Sequence, residues 1–305
     1  MKNRMSEYIN YHINGDADCN TVILRRYADK KGLNLQQRFD LAYLFAITYC
    51  IPSAILLLNE KELIFQDVKK YAAENKDIVL FQSDRKYVRL MNRFEGCLQY
   101  FKENLTDANE FLQKVQQNGV IVLEKALLQV QKWFYFGRFA SYLFLETFTA
   151  LIDCKFQNTT IDWPHGDTAT SGIMNLFELD NAADYFDRNG RIPTKISKTM
   201  LDNMLQVVIK EIRAAGGNDN VTDIETSLCA YRKFWKGTRY DGYYLDRMLE
   251  EIYQTRKMSE KYGKIDEELL QLRKELFDSK KLGELSGWKG VRKENKKMWL
   301  NTHKR

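Results

Sequence analysis

Gly137-Arg138-Phe139-Ala140-Ser141-Tyr142-Leu143-Phe144-Leu145-Glu146-Thr147-Phe148-Thr149-Ala150-Leu151-Ile152-Asp153 is the stretch whose reading settles the fold class. At 100° per residue Arg138, Tyr142, Glu146, Thr149 and Asp153 converge on one stripe, and most of the remaining circumference is apolar. The segment reads as a helix surrounded by other helices. A carboxylate on such a helix must be paired or face a cavity, because an unpaired buried charge is costly. Glu146 is therefore either a general base or ammonium anchor in a cavity, or the partner of Arg138 or another cation.

Outward from that stretch the helical period continues. It predicts helices near Leu35–Leu58, Asp84–Glu103, Asp107–Gln117, Val120–Ile152, Thr194–Ala214, Thr222–Lys236 and Tyr243–Tyr262, followed by a charged run over Ile265–Lys280. Asp77–Phe81 is the best β-like run, and it is isolated. The pattern breaks at Asn158–Gly172 and Ala215–Val221, which are rich in turn-forming residues. With 44% hydrophobic residues the 305-residue chain can bury a large core, and 3 prolines with 16 glycines give too little turn punctuation for a sandwich or barrel. An all-α fold follows, with two helical lobes around a cleft: residues 1–120, residues 121–285 with most candidate site residues, and a basic tail over 286–305.

The cysteines Cys19, Cys50, Cys97, Cys154 and Cys229 are scattered and odd in number, which implies free thiols in a reducing compartment. Met1 to Ile13 lacks the apolar core of a signal peptide, and neither Leu41–Leu58 nor Trp133–Ile152 is uninterrupted enough to cross a bilayer, so an intracellular protein with no membrane partner is expected. The dinucleotide fingerprint, the phosphate loop, His-Glu-x-x-His and Gly-x-Ser-x-Gly are all missing, and the histidines are His12, His165 and His303. No metal and no cofactor are therefore expected.

Three constellations carry chemistry. In Trp163-Pro164-His165-Gly166-Asp167-Thr168-Ala169-Thr170-Ser171-Gly172, Asp167 or Thr168 would cap a helix over Ile173–Phe177. Its first amides and the hydroxyls of Thr168, Thr170 and Ser171 could cradle a phosphate, or the segment is simply a capped loop. Over Thr222–Lys236 the core face is Ile224, Leu228, Tyr231 and Trp235, and Glu225, Cys229, Arg232 and Lys236 form the ridge beside it. Thr222-x-x-Glu225 also reads as a capping box. Lys236-Gly237-Thr238-Arg239-Tyr240-Asp241-Gly242-Tyr243-Tyr244 then interleaves cations that neutralise phosphates with rings that stack on bases. The tail over Ser286–Arg305 adds Lys289, Arg292, Lys293, Lys296, Lys297, Lys304 and Arg305 against Glu294 alone, which accounts for the net charge of +6. It reads as a phosphate-backbone contact. Leu285–Val291 faintly resembles the hairpin of helix-hairpin-helix DNA binders, with the glycine spacing wrong by one.

Several blocks resemble the amino acid:DNA transferase family of bacteriophage thymidine-hypermodification systems, related to the α-glutamyl/putrescinyl thymine pyrophosphorylases. They are Tyr8-Ile9-Asn10-Tyr11-His12 with Gly15-Asp16, Gln37-Arg38-Phe39 through Tyr49-Cys50, Phe81-Gln82-Ser83-Asp84-Arg85, Phe144-Leu145-Glu146-Thr147, Glu225-Thr226-x-Leu228-Cys229-Ala230-Tyr231-x-Lys233, and Gly237-x-Arg239-Tyr240-x-Gly242-Tyr243-Tyr244. The resemblance implies DNA carrying pyrophosphorylated 5-hydroxymethyluracil as substrate, an amino acid or polyamine as donor, release of pyrophosphate, other phage modification enzymes as partners, and the cytoplasm of an infected bacterium as the setting. Such a site needs a base for the attacking ammonium, cations for the leaving group and a pocket for an extruded base.

Residue chemistry offers Glu146, Asp167 and Glu225 as catalytic carboxylates. Arg85, His165, Thr170, Ser171, Lys233, Lys236 and Arg239 are the phosphate-binding candidates, Tyr240, Tyr243 and Tyr244 the stacking rings, and Lys289, Arg292, Lys293, Lys296 and Lys297 the contacts to the DNA backbone. The 163–172 loop and the 222–244 segment are expected to meet at one cleft. Two rival readings are a non-catalytic helical DNA-binding module, which leaves Glu146 unexplained, and a helical base-flipping glycosylase, which the hairpin spacing disfavours.

Overall fold

The computed structural model describes residues 2–76, 78–79, 91–157, 160–163, 166–179, 197–277 and 291–302. As the periodicity predicts, it is mainly helical. In chain order the helices are α1 (Lys2–Asn14), α2 (Cys19–Lys30), α3 (Leu35–Thr48), α4 (Ile51–Asn59), α5 (Lys61–Gln66), α6 (Val68–Asn75), α7 (Met91–Glu103), α8 (Ala108–Val115), α9 (Leu123–Val130) and α10 (Arg138–Ile152). They continue with α11 (Asp167–Leu176), α12 (Lys198–Ala214), α13 (Val221–Trp235), α14 (Tyr243–Gln254), α15 (Arg256–Tyr262), α16 (Ile265–Leu276) and α17 (Val291–Thr302). Three short strands, β1 (Gln116–Gln117), β2 (Val120–Val122) and β3 (Phe156–Gln157), make a small sheet in which β1 runs antiparallel and β3 parallel to β2. No helix is long and apolar enough to cross a membrane among the described residues.

The chain divides into two compact units that interleave along the sequence. The first comprises Met1–Cys19, Asn158–Tyr244 and Gly290–Arg305, and the second Asn20–Gln157 and Leu245–Lys289. Neither coincides with residues 1–120, 121–285 or 286–305.

In the second unit the apolar faces of α3 and α10 close over an aromatic cluster. Phe39 meets the edges of Phe144 and Phe148 at 5.2 and 5.0 Å, and Trp133 lies 4.8 Å from Phe144, the edge-to-face geometry that ring quadrupoles favour. The 100° reading of α10 holds in part: Leu143, Phe144, Leu145, Phe148 and Leu151 are buried and Arg138, Tyr142 and Glu146 half-buried, but Thr149 of the same stripe is buried and Asp153 exposed.

Several predicted helices are shorter than their periodicity suggested. Leu35–Leu58 breaks at Tyr49, which adopts a left-handed φ of 49° as the cap of α3, and Pro52 then starts α4. Val120–Ile152 opens as a strand instead, because Asn118 and Gly119 take φ of 49° and 80° and turn β1 back onto β2. Within that same span α9 ends at Val130, and residues 131–137 turn before α10 begins. Tyr243–Tyr262 divides at Thr255. Residues 78 and 79, the described part of the β-like run, form a turn and a bend, and the rest of it lies outside the described residues.

The first unit is built on α11 crossing α13. A Cβ on Gly172 would fall 2.4 Å from the Leu228 carbonyl oxygen, so the glycine permits the close approach of the two helices. On another side of α13 lies α1, where Tyr8 hydrogen-bonds Ser227 Oγ at 2.8 Å and Tyr11 packs on Phe234 at 5.2 Å.

Candidate functional site

The C-terminal end of α13 gathers cations by simple helix arithmetic. Arg232 and Lys236 lie four residues apart on the predicted ridge, with Lys233 beside them. Gly237, at φ 62°, ends the helix in a Schellman turn in which its amide donates to Phe234 and the Thr238 amide to Lys233, both at 2.9 Å. These backbone bonds satisfy the last carbonyls, so the cationic side chains are not used as caps. Lys236 is exposed, and the Arg232 guanidinium, aided by some burial, lowers its amine below the ordinary lysine range. Arg232 Nε is buried without a hydrogen-bond partner. Neither side chain has a carboxylate within ion-pair distance among the described residues.

At the other end of the same ridge, Glu225 approaches the start of α11, its Oε1 3.6 Å from where a Gly166 Cβ would stand. The 163–172 and 222–244 segments thus meet through the packing of α11 on α13. The details differ from the sequence reading. Helix α11 begins at Asp167 with Gly166 as its N-cap and no side-chain cap, so Asp167 and Thr168 are first-turn residues. Asn220 caps α13 by accepting from the Thr222 amide at 3.2 Å, which displaces the capping box expected of Thr222 and Glu225. Thr170 is fully buried and donates to the Trp163 carbonyl at 3.3 Å, and Ser171 is buried too. Their hydroxyls face the interior, so an open cradle made from them does not form.

Beyond α13 the loop to α14 folds around Arg239. Its guanidinium stacks 4.6 Å from the ring centres of both Tyr243 and Tyr244, hydrogen-bonds the Tyr244 hydroxyl, and is only 8% exposed. Tyr240 and Tyr244 are buried, so Tyr243 is the most accessible of the three candidate rings. Residues from the chain start complete this loop: Asp16 is buried and accepts the Tyr244 amide at 2.6 Å. The Tyr11 phenol is pushed well up by burial and by Asp16, Tyr244 and Asp241, with Arg239 acting the other way. The blocks around residues 8–16 and 225–244 therefore form one piece. Asp16 belongs to a resemblance block but was given no role from sequence, since a hydrogen bond spanning 228 residues has no local signature.

The basic tail is helical over its described part. In α17, Val291 and Asn295 are buried, Trp299 packs 5.4 Å from Phe234, and Leu300 comes within 3.4 Å of a Cβ placed on Gly237. Arg292 donates to the Tyr243 hydroxyl at 2.9 Å. Lys293 and Lys297 are exposed and Lys296 is half-buried. The cations of α17 and of the α13 end thus share the first unit, with Glu294 as the one acid of α17.

Glu146 belongs to the second unit. Arg138, on its stripe, stacks 4.4 Å from the Tyr142 ring, and Asp153 pairs with Arg25 at 3.1 Å. The same unit contains a set of buried charges that the sequence reading missed. Along α14, Asp246, Arg247, Glu250 and Glu251 are all buried, as is Arg273 of α16. Arg247 pairs with Glu251 at 3.2 Å and stacks 4.6 Å from the Tyr49 ring, and Arg273 lies 3.6 Å from Asp246. The Cys50 thiol is pushed up by burial and by Glu251, with Arg247 and bonds to Ser53 opposing. The i, i+4 spacing of Arg247 and Glu251 was legible, but in sequence such a pair reads as a solvated face.

Arg85, His165, Lys289 and most of the 285–291 hairpin lie outside the described residues, as does the block Phe81–Arg85. Among the described residues no group of three or more His, Cys, Asp or Glu side chains could hold a metal ion. Residues 41–240 match the family model described as amino acid:DNA transferase, well over half of the chain. No match is found among curated proteins.

Proposed function

Because the chain belongs to the amino acid:DNA transferase family, we propose that it joins the amine of an amino acid or polyamine to a pyrophosphorylated 5-hydroxymethyluracil in bacteriophage DNA. The supporting observation is that Lys236, Lys293 and Lys297 are all exposed on elements of the first unit that pack together at Gly237. Exposed cations of this kind suit a polyanion.

In the proposed step the amine lone pair attacks the exocyclic methylene carbon. A C–N bond forms, the C–O bond breaks, and pyrophosphate leaves with the bonding electrons. The ammonium proton passes to a carboxylate of the same unit: Glu225 at the head of the α13 ridge or Asp167 in the first turn of α11. Lys233 and Lys236 neutralise the departing charge, and Arg239 positions Tyr243 for stacking on an extruded base. Arg292, Lys293, Lys296 and Lys297 follow the DNA backbone. Other phage modification enzymes would supply the pyrophosphorylated base in the infected cell.

The test is incubation with pyrophosphorylated DNA and a panel of amines, followed by digestion to nucleosides and mass spectrometry. An aminated thymine derivative with stoichiometric pyrophosphate release is expected. DNA binding with no transfer for any amine would favour the non-catalytic DNA-binding reading.

A further inference from the structure

We propose that Arg232 and Lys236 together form a phosphoryl-oxyanion seat on α13 that takes the leaving pyrophosphate, with Arg232 contributing its Nε edge and Lys236 its ammonium. The choice of pyrophosphate rests on the transfer reading above. The seat itself rests on geometry.

Two cations at i and i+4 repel each other, and a fold gains nothing from holding them together without a counter-charge. On α13 no carboxylate intervenes between them among the described residues, and the Schellman turn already satisfies the carbonyls that could have used them as caps. Arg232 Nε is buried with no acceptor, an arrangement that ordinarily costs stability. A phosphoryl group answers both deficits. Its oxygens match the planar guanidinium edge in a two-point contact, and its second charge engages the compact lysine ammonium. The depressed proton affinity of Lys236, caused first by Arg232, is the electrostatic sign of a position that favours an anion. The seat's surroundings agree, since Leu300 and Trp299 of α17 pack at Gly237, directly after Lys236.

The experiment is calorimetric titration of the full-length protein with inorganic pyrophosphate, and separately with unmodified duplex DNA, for wild type, Arg232→Ala and Arg232→Lys. Pyrophosphate affinity should fall at least tenfold in Arg232→Ala. It should fall several-fold in Arg232→Lys, which keeps the charge but lacks the planar edge. In the wild type, pyrophosphate affinity should fall as pH rises through the range in which Lys236 loses its proton, and that pH dependence should be reduced in Lys236→Gln. If Arg232→Ala does not fold, the lysine variant decides. Unchanged pyrophosphate affinity in a folded Arg232 variant would overturn the proposal whether or not the wild type transfers amines. Weakening confined to duplex DNA would also overturn it and assign Arg232 to the backbone. Arg232-dependent pyrophosphate binding by a protein that transfers no amine would instead refute the transfer reading and leave the seat standing.

Discussion

Arg247 in the second unit and Arg232 in the first each have a charged residue one helical turn further on. Arg247 meets Glu251 at 3.2 Å inside a buried network and is covered by the Tyr49 ring. Arg232 meets another cation, Lys236, and its Nε is buried with no acceptor. The spacing is the same and the sign of the partner is opposite. A buried charge that is paired within the chain belongs to the fold, because removing its partner leaves a desolvated ion behind. A charge whose neighbour repels it lowers stability and is explained by something that arrives from outside.

The largest effect should come from breaking the paired side. Glu251→Ala takes away the carboxylate that Arg247 faces in the interior and should lower stability by about 3–5 kcal/mol, the usual cost of breaking a buried pair. At roughly 2–4 °C per kcal/mol this is a fall of about 10 °C in melting temperature. A change within about 1 °C would show that the α14 network is not structural, and the comparison would collapse.

Next come the carboxylates. Glu225→Gln and Glu146→Gln keep size and some hydrogen bonding while removing the group that accepts a proton. With Glu225 as base, Glu225→Gln should lose about 10²-fold in single-turnover amine transfer, equivalent to about 2.7 kcal/mol. Glu146→Gln should transfer normally. If Glu146 serves only a buried cation, Glu146→Gln should lower the melting temperature and leave transfer intact. Near-wild-type transfer in both variants would leave Asp167 to be tested.

Opening the unpaired side should disturb binding alone. Lys293→Gln with Lys297→Gln removes exposed charge from α17 and leaves Val291, Asn295 and Trp299 in place, which truncation of the tail would not. The slope of log affinity for duplex DNA against log salt should flatten by about 0.9 for each phosphate that is no longer neutralised, with melting unchanged within about 1 °C. An unaltered slope would show that α17 does not touch DNA.

The smallest effect on activity, none at all, concerns an acid near the start of α13. Asp223 is pushed up to about 6 by burial and by the charge of Asp18, with the Asn218 hydrogen bond opposing. Its unfolded value is about 3.9, so the folded state holds the proton longer and stability falls as pH rises from about 4 to 6. Asp223→Asn keeps an acceptor for Asn218 and should raise the melting temperature at pH 7 by about 5 °C. Below about pH 4 the gain should vanish. A gain that persists there would mean that ionisation is not its cause.

Helix was legible wherever one apolar face runs without interruption, as in Gly137–Asp153. It was misjudged where a local conformational choice outweighs periodicity. Asn118-Gly119 is a hairpin signal in plain sight, but the helix-compatible residues on both sides hid it, and Tyr49 before Pro52 ended a helix that hydropathy alone would continue. The ridge of Glu225, Cys229, Arg232 and Lys236 could be read because a helix fixes its own spacing. What could not be read was which of those side chains bury polar atoms, since that depends on α11, α1 and α17 packing around α13. The Thr170 and Ser171 cradle failed for the same reason: the residues suit a phosphate, and only the packing reveals that they face inward.

Gly172 acts as a ruler. Because its hydrogen is all that stands between α11 and the Leu228 carbonyl, with a Cβ arriving at 2.4 Å, even a methyl group there must shift one helix against the other by the better part of an ångström. That shift would be delivered to Glu225 at one end of α13 and Lys236 at the other, although neither touches the substituted atom. The interior of the first unit therefore carries a setting for its surface, through which the spacing of Glu225 and Lys236 can drift or be adjusted over generations without either residue changing.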